Sequence, residues 1–184
     1  NPTRAELERA LADLEGAERG VITATGMAAI DLVLALVNPG DLVIAPLDCY
    51  GGTFRLLTAR AKRGQIDVIF VNQTNPEELD AALARKPKLV LIETPSNPLL
   101  RITDISACAA AARKAGAIIV ADNTFLSPAH QNPLVLGCDI VVHSTTKFIN
   151  GHSDVVGGAV LARDKALGDE LAWWANCTGV TGAP

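Results

Sequence analysis

Two residues in the middle of the chain carry side chains whose positions ask for a chemical reason. Asp122 ends the apolar run Ala117-Ile118-Ile119-Val120-Ala121. A carboxylate there is costly unless something cationic meets it. Lys147 also follows an apolar run, Asp139-Ile140-Val141-Val142-His143, and its neighbours are hydroxyl residues and glycine, with no acid directly beside it. A lysine held in a partly dry setting has a lowered pKa and can form a Schiff base. A bound pyridine ring that carries an aldehyde would join the two. Asp122 would keep the ring nitrogen protonated, and Lys147 would hold the aldehyde carbon. That is pyridoxal phosphate chemistry, in which the protonated ring is the electron sink.

Such a group brings a phosphate, which needs its own donors. Gly26 and Met27 open an apolar helical stretch, where free backbone N–H groups and the helix dipole favour an anion. Gly26 allows close backbone approach. Ser144 and Thr146 add hydroxyl donors, and Tyr50, the only tyrosine, is placed to stack on a flat ring. Each piece alone has an ordinary reading. Asp122 can be a helix cap, Lys147 a solvated lysine, Gly26-Met27 a plain strand-to-helix turn, Tyr50 a core or surface residue, and the hydroxyls loop residues. His130, His143 and His152 share no metal-ligand spacing and read as structural. The pieces gain weight together, because each follows a strand, and ligands bind at the carboxyl ends of strands in open α/β sheets.

The elements that must position them alternate. A helix starts after Thr3, with Glu6 completing a capping box, runs with Leu7, Ala10, Leu11 and Leu14 at helical spacing, and stops at Gly16. Strands are predicted at residues 20–24, 42–45, 68–71, 88–93, 117–122, 139–143 and 158–162. Helices are predicted at residues 27–37, 52–63, 76–84, 104–115 and 164–175. The strands are continuous Val/Ile/Leu runs, which marks a mostly parallel sheet covered by helices on both faces. Between residues 143 and 158 no helical period is present, so the last strand is expected to run antiparallel. The tail from Gly179 to Pro184 reads as a loop.

Composition narrows the class. The chain has 184 residues, 49% apolar and 20% charged. That is globular composition, of about one domain's length, and it excludes disorder as the main state. Aromatics are 4%, so the core must be built from Ala, Val, Ile and Leu. A net charge of −4 leaves no basic field for nucleic acid or an anionic membrane. The apolar runs fall far short of the ~20 residues a membrane helix needs. Cys49, Cys108, Cys138 and Cys177 form no C-x-x-C pair and read as reduced thiols without a zinc framework. With no signal pattern at Asn1–Glu6, a cytoplasmic location is expected. A nicotinamide-dependent dehydrogenase would need G-x-G-x-x-G after a strand, and the chain has none. A non-catalytic scaffold remains as an alternative, against which Asp122 and Lys147 weigh.

The residues resemble a known family. Thr25-Gly26-Met27-Ala28-Ala29, Asp48-Cys49-Tyr50-Gly51-Gly52-Thr53, Glu93-Thr94-Pro95-Ser96-Asn97-Pro98, Asp122-Asn123-Thr124-Phe125 and Ser144-Thr145-Thr146-Lys147-Phe148-Ile149-Asn150-Gly151-His152-Ser153-Asp154 are similar to the Cys/Met-metabolism group of pyridoxal-phosphate enzymes. The last two stretches together are highly specific. The resemblance covers essentially the whole chain. It implies an α/β, aspartate-aminotransferase-like (fold type I) large domain over residues 1–184. The N-terminal segment and the C-terminal small domain are expected outside these residues. It implies Lys147 as the Schiff-base lysine, Asp122 as the ring-nitrogen partner and Tyr50 stacked on the ring and assisting proton transfer. Gly26, Met27, Ser144 and Thr146 are implied at the phosphate, Asn97 near the ring hydroxyl and Thr124 beside the cofactor. The stretch Pro95-Ser96-Asn97-Pro98-Leu99-Leu100-Arg101, the run Phe125-Leu126-Ser127-Pro128-Ala129 and the tail Ala172-Trp173-Trp174-Ala175-Asn176 resemble most the members that join an O-acyl-L-homoserine with L-cysteine. Members that break the product are the alternative. The family implies a homotetramer, a dimer of dimers sharing active sites, and low or absent activity for these residues alone.

Overall fold

The computed structural model describes residues 1–183; Pro184, the last residue of the expected terminal loop, lies outside them. In chain order the elements are α1 (Pro2–Glu15), β1 (Arg19–Thr23), α2 (Gly26–Val33) with a 3-10 turn (Leu34–Leu36), β2 (Leu42–Pro46) and α3 (Gly51–Lys62). Then come β3 (Asp67–Val71), α4 (Pro76–Leu83), β4 (Leu89–Glu93), α5 (Ile105–Lys114) and β5 (Ile118–Asp122). The last are α6 (Ser127–His130), β6 (Ile140–His143), β7 (Gly158–Ala162) and α7 (Lys165–Thr178). No helix among the described residues is long and apolar enough to cross a membrane.

Two compact units emerge. The first comprises Asn1–Leu36, Asn123–Val135 and the stretch from Asp139 onward; the second comprises Val37–Asp122 and Leu136–Cys138. In the second unit the strands run in the order β5-β4-β2-β3, and every pair is parallel. Glu93 sits opposite Asp122 at the carboxyl end of this ladder, and Pro46 opposite Val71. β2 and β4 are buried along their whole length. That is why they read as unbroken apolar runs: a parallel strand covered on both faces has no wet side to show in its sequence. Ile44, Leu57, Ile92 and Ile119 are fully buried here, each contributing about 1.5–3 kcal/mol.

In the first unit the order is β1-β7-β6, and β7 runs antiparallel to both neighbours. The expectation of one antiparallel strand therefore holds. Its cause is the link from residue 144 to 157, which has turns in place of a crossover helix: Asn150 N–H donates to Thr145 O at 2.9 Å and Gly151 N–H to Lys147 O at 2.8 Å. Two glycines fix the return strand. A Cβ on Gly158 would lie 2.2 Å from Thr25 O, and one on Gly157 would lie 2.5 Å from Thr145 Oγ1. The α/β fold with a mostly parallel sheet and one antiparallel strand is thus as the sequence implied.

Several local expectations are corrected. The first helix is capped by Asn1, not Thr3: the Asn1 side chain accepts from Thr3 N at 2.9 Å and Arg4 N at 3.3 Å. Pro2 at the first helical position favours this start, since it lacks the N–H and has a helical φ already. Glu6 pairs with Arg9 in place of a capping box. The buried face of α1 is Leu11, Ala12 and Glu15, whereas Leu7 and Leu14 are exposed. The apolar helix after Gly26 ends at Val33 and tightens into the 3-10 turn. The short α6 was not expected, and α7 continues to Thr178, where Gly179 closes it in the left-handed conformation. The tail is not free: Thr181 bridges Thr23, and Ala24 N–H donates to Val180 O at 2.9 Å.

Candidate functional site

The first unit gathers the residues expected at the phosphate. α2 begins where β1 ends, because Thr25, in extended conformation, accepts from Ala28 N–H through Oγ1 at 2.9 Å. This N-cap leaves the N–H groups of Gly26 and Met27 in the first turn without an intrahelical acceptor. Ser144 lies against that turn: a Cβ added to Gly26 would sit 2.5 Å from Ser144 Cβ. Only glycine permits this approach. Ser144 N–H donates to Thr124 Oγ1 at 2.8 Å, so Thr124, Ser144 and the start of α2 form one cluster. The donor set — two backbone N–H groups at a helix start and a serine hydroxyl, with close approach secured by glycine — suits a phosphate-bearing cofactor.

Thr146 lies in the same loop, but its hydroxyl is engaged within it. Oγ1 accepts from Gly157 N–H at 3.0 Å and faces Gly157 O at 3.2 Å. It closes the turn that carries Lys147. Lys147 N–H donates to Ser144 O at 3.2 Å, while its residue is exposed and followed by an exposed loop over residues 151–156. The partly dry setting expected for this lysine is therefore not supplied by its own loop. Phe125 and Phe148 meet edge to face, with centroids 6.1 Å apart, and both stay exposed.

The second unit gathers the residues expected around the ring. Tyr50 N–H donates to Glu93 Oε2 at 2.8 Å, and Asn97 N–H donates to Glu93 Oε1 at 3.0 Å. One buried carboxylate thus positions both residues, whose own side chains face solvent. Asp48 plays a parallel part. It accepts from Ser96 Oγ at 2.5 Å, and Arg101 Nε lies 3.7 Å from it. The loop after β4 is therefore tied to the loop after β2 at two carboxylates. Asp122, half-buried, ends β5 opposite Glu93. Burial, then the charge of Asp122, push the Glu93 carboxyl up to about 7, against the two N–H donors that favour its ionised form. Burial and the charges of Glu93, Asp48 and Asp122 push the Cys49 thiol up to about 12, so it is no nucleophile at neutral pH.

Glu93 and Asp48 lie within the strand-end motifs, and the sequence alone points to no role for either. A strand-end acid directly opposite Asp122 was the available signal for Glu93. A second omission lies in the first unit. Glu15 of α1 and His143 of β6 are wholly buried, with His143 Nε2 at 2.7 Å from Glu15 Oε1. An acid four residues after Leu11, on the same face of a helix, was the visible sign.

A family model described as Cys/Met metabolism PLP-dependent enzyme matches residues 1–184. The chain is 60% identical over 183 residues to cystathionine gamma-synthase of Escherichia coli (strain K12), covering 99% of the chain and 47% of that protein. It is 48% identical over 179 residues to cystathionine gamma-lyase of Bacillus subtilis (strain 168), covering 97% and 47%. Its fold matches the crystal structure of cystathionine gamma synthase from Xanthomonas oryzae pv. oryzae in complex with aminoacrylate and cysteine. The TM-score is 0.99 at 61% identity, over 100% of this chain and 48% of that one. The chain thus spans about half the length of the relatives it matches.

Proposed function

Because this chain belongs to the Cys/Met metabolism PLP-dependent enzymes, we propose that the protein carrying it is a cystathionine γ-synthase. The reaction is a γ-replacement: an O-acyl-L-homoserine, succinyl or acetyl, reacts with L-cysteine to give L-cystathionine and the free carboxylic acid. Residues 1–184 are then part of the cofactor-binding large domain, in a cytoplasmic homotetramer that serves methionine biosynthesis. The observation that carries the reading is the 60% identity to a synthase set against 48% to a lyase, over nearly the same residues.

When bound, pyridoxal phosphate supplies a protonated ring that stores the electrons released at the substrate's Cα. In this reading Gly26 N–H, Met27 N–H and the Ser144 hydroxyl bind the phosphate, with Thr124 holding Ser144 in place and Thr146 closing the loop behind it. Lys147 would hold the aldehyde carbon, and its free amine would serve as the general base for the Cα proton. Asp122 would keep the ring nitrogen protonated. Tyr50 would stack on the ring and assist proton transfer, and Asn97 would lie near the ring hydroxyl. The acyl group would leave Cγ as its carboxylate, the cysteine sulfur would bond there as the S–H bond breaks and its proton passes to solvent, and Lys147 would return the proton to Cα.

A second reading, cystathionine lysis, rests on the lyase relatives at 48% and 47% identity. Two assays on the full-length protein with pyridoxal phosphate separate them. One quantifies cystathionine from O-succinylhomoserine and cysteine, and the other quantifies keto acid from cystathionine. Faster formation is the expected result; faster breakdown overturns the synthase in favour of the lyase.

A further inference from the structure

We propose that Glu15 is a positioning residue for the cofactor-binding strand ends, acting through Asn123 and His143. Its Oε1 accepts from Asn123 Nδ2 at 2.8 Å and meets His143 Nε2 at 2.7 Å. One oxygen therefore joins the segment that follows β5 to the end of β6. Asn123 precedes Thr124, and His143 precedes Ser144, the two residues that hydrogen-bond each other beside α2. Asn123 is fixed further by Gln131: Nδ2 donates to Gln131 O at 2.7 Å, and Gln131 Nε2 donates to Asn123 Oδ1 at 3.0 Å. Asn123 N–H donates to Val142 O at 3.0 Å. Glu15, Asn123 and His143 are each buried to 1% exposure or less.

The cluster is a poor choice for stability alone. Glu15 Oε2 and His143 Nδ1 are buried without a hydrogen-bond partner. A well-packed apolar set of the same volume would avoid that cost. What apolar side chains cannot supply is direction. A shared acceptor fixes the rotation of the His143 ring and the Asn123 amide together, and with them the backbone that presents Thr124 Oγ1 and Ser144 N–H. Glu15 touches none of the groups expected to meet the cofactor, so its effect is transmitted and not catalytic.

The inference rests on the cofactor assignment, and its test separates the two. In the full-length protein, pyridoxal phosphate affinity is measured by fluorescence titration for the parent, for Glu15→Gln, and for Glu15→Met combined with His143→Leu. Failure of the parent to bind overturns the cofactor reading and the inference with it. With a binding parent, Glu15→Gln is expected to bind at least about tenfold more weakly, with an altered visible absorbance band and retained cooperative unfolding. The apolar pair is expected to regain thermal stability but not affinity. Parental affinity in either folded variant overturns the inference. So does failure of both variants to fold, since the cluster is then only structural.

Discussion

Replacing Glu93 by Gln tests the electrostatics at the β4 and β5 ends most directly. The carboxyl, ordinarily near 4.5, is pushed up to about 7 in the fold by burial and by Asp122. Between those two values the folded state holds a proton that the unfolded state has lost. Stability from this group is therefore full below 4.5 and falls as the pH rises through 7. The displacement corresponds to about 3 kcal/mol, an order-of-magnitude figure. Gln cannot ionise, so it removes that slope. It also turns one acceptor into an NH2 group facing the backbone N–H of Tyr50 or Asn97. A buried donor left unmet costs about 1–3 kcal/mol. The apo form of the full-length protein, unfolded in urea at about pH 5 and about pH 8, gives the comparison. The expected result is a variant less stable than the parent at the lower pH, with a gap that narrows by about 3 kcal/mol at the higher. A gap that stays constant with pH would show that Glu93 does not hold its proton, and the reasoning about Asp122 would fail with it.

Other consequences are simpler. Lys147→Ala should abolish turnover while leaving the fold intact; near-parental rates in a cooperatively unfolding variant would remove Lys147 from the chemistry. Gly26→Ala places a Cβ 2.5 Å from Ser144 Cβ. Relieving that overlap costs about 1–3 kcal/mol, so pyridoxal phosphate affinity should drop by about tenfold or more, and unchanged affinity in a titration would refute the cradle. Among the four thiols, Cys177 alone is exposed, and Cys49 and Cys108 are pushed up to about 12. Alkylation of these residues alone, folded and near neutral pH, should mark Cys177, with the other three labelled only in denaturant; early labelling of Cys49 by peptide mass spectrometry would contradict its burial.

The residues proposed to carry the chemistry are legible in the chain because each follows an apolar run. A continuous Val/Ile/Leu stretch that ends in a polar residue marks a covered parallel strand and its carboxyl end, and both features are local. Asp122, Lys147 and the Gly26-Met27 turn stand out in this way, as does the antiparallel β7, since a link without helical period is a poor crossover. Helix caps were less legible. Asn1 displaced Thr3 because Pro2 shifts the helix start by its own geometry, and Leu7 and Leu14 stay exposed although their spacing is helical.

What no local pattern carries is which distant groups share one atom. Glu15 Oε1 receives both Asn123 and His143, and Glu93 receives the N–H groups of Tyr50 and Asn97. Those meetings depend on strand order and register. The proton on Glu93 depends on them as well, because desolvation and the nearby Asp122 charge exist only once β4 and β5 pair. Likewise Thr146 has a hydroxyl suited to an anion by type, yet packing turns it to Gly157. Composition and spacing settle which groups are available at the strand ends; the folded arrangement settles which of them are free to act and which are held to hold others.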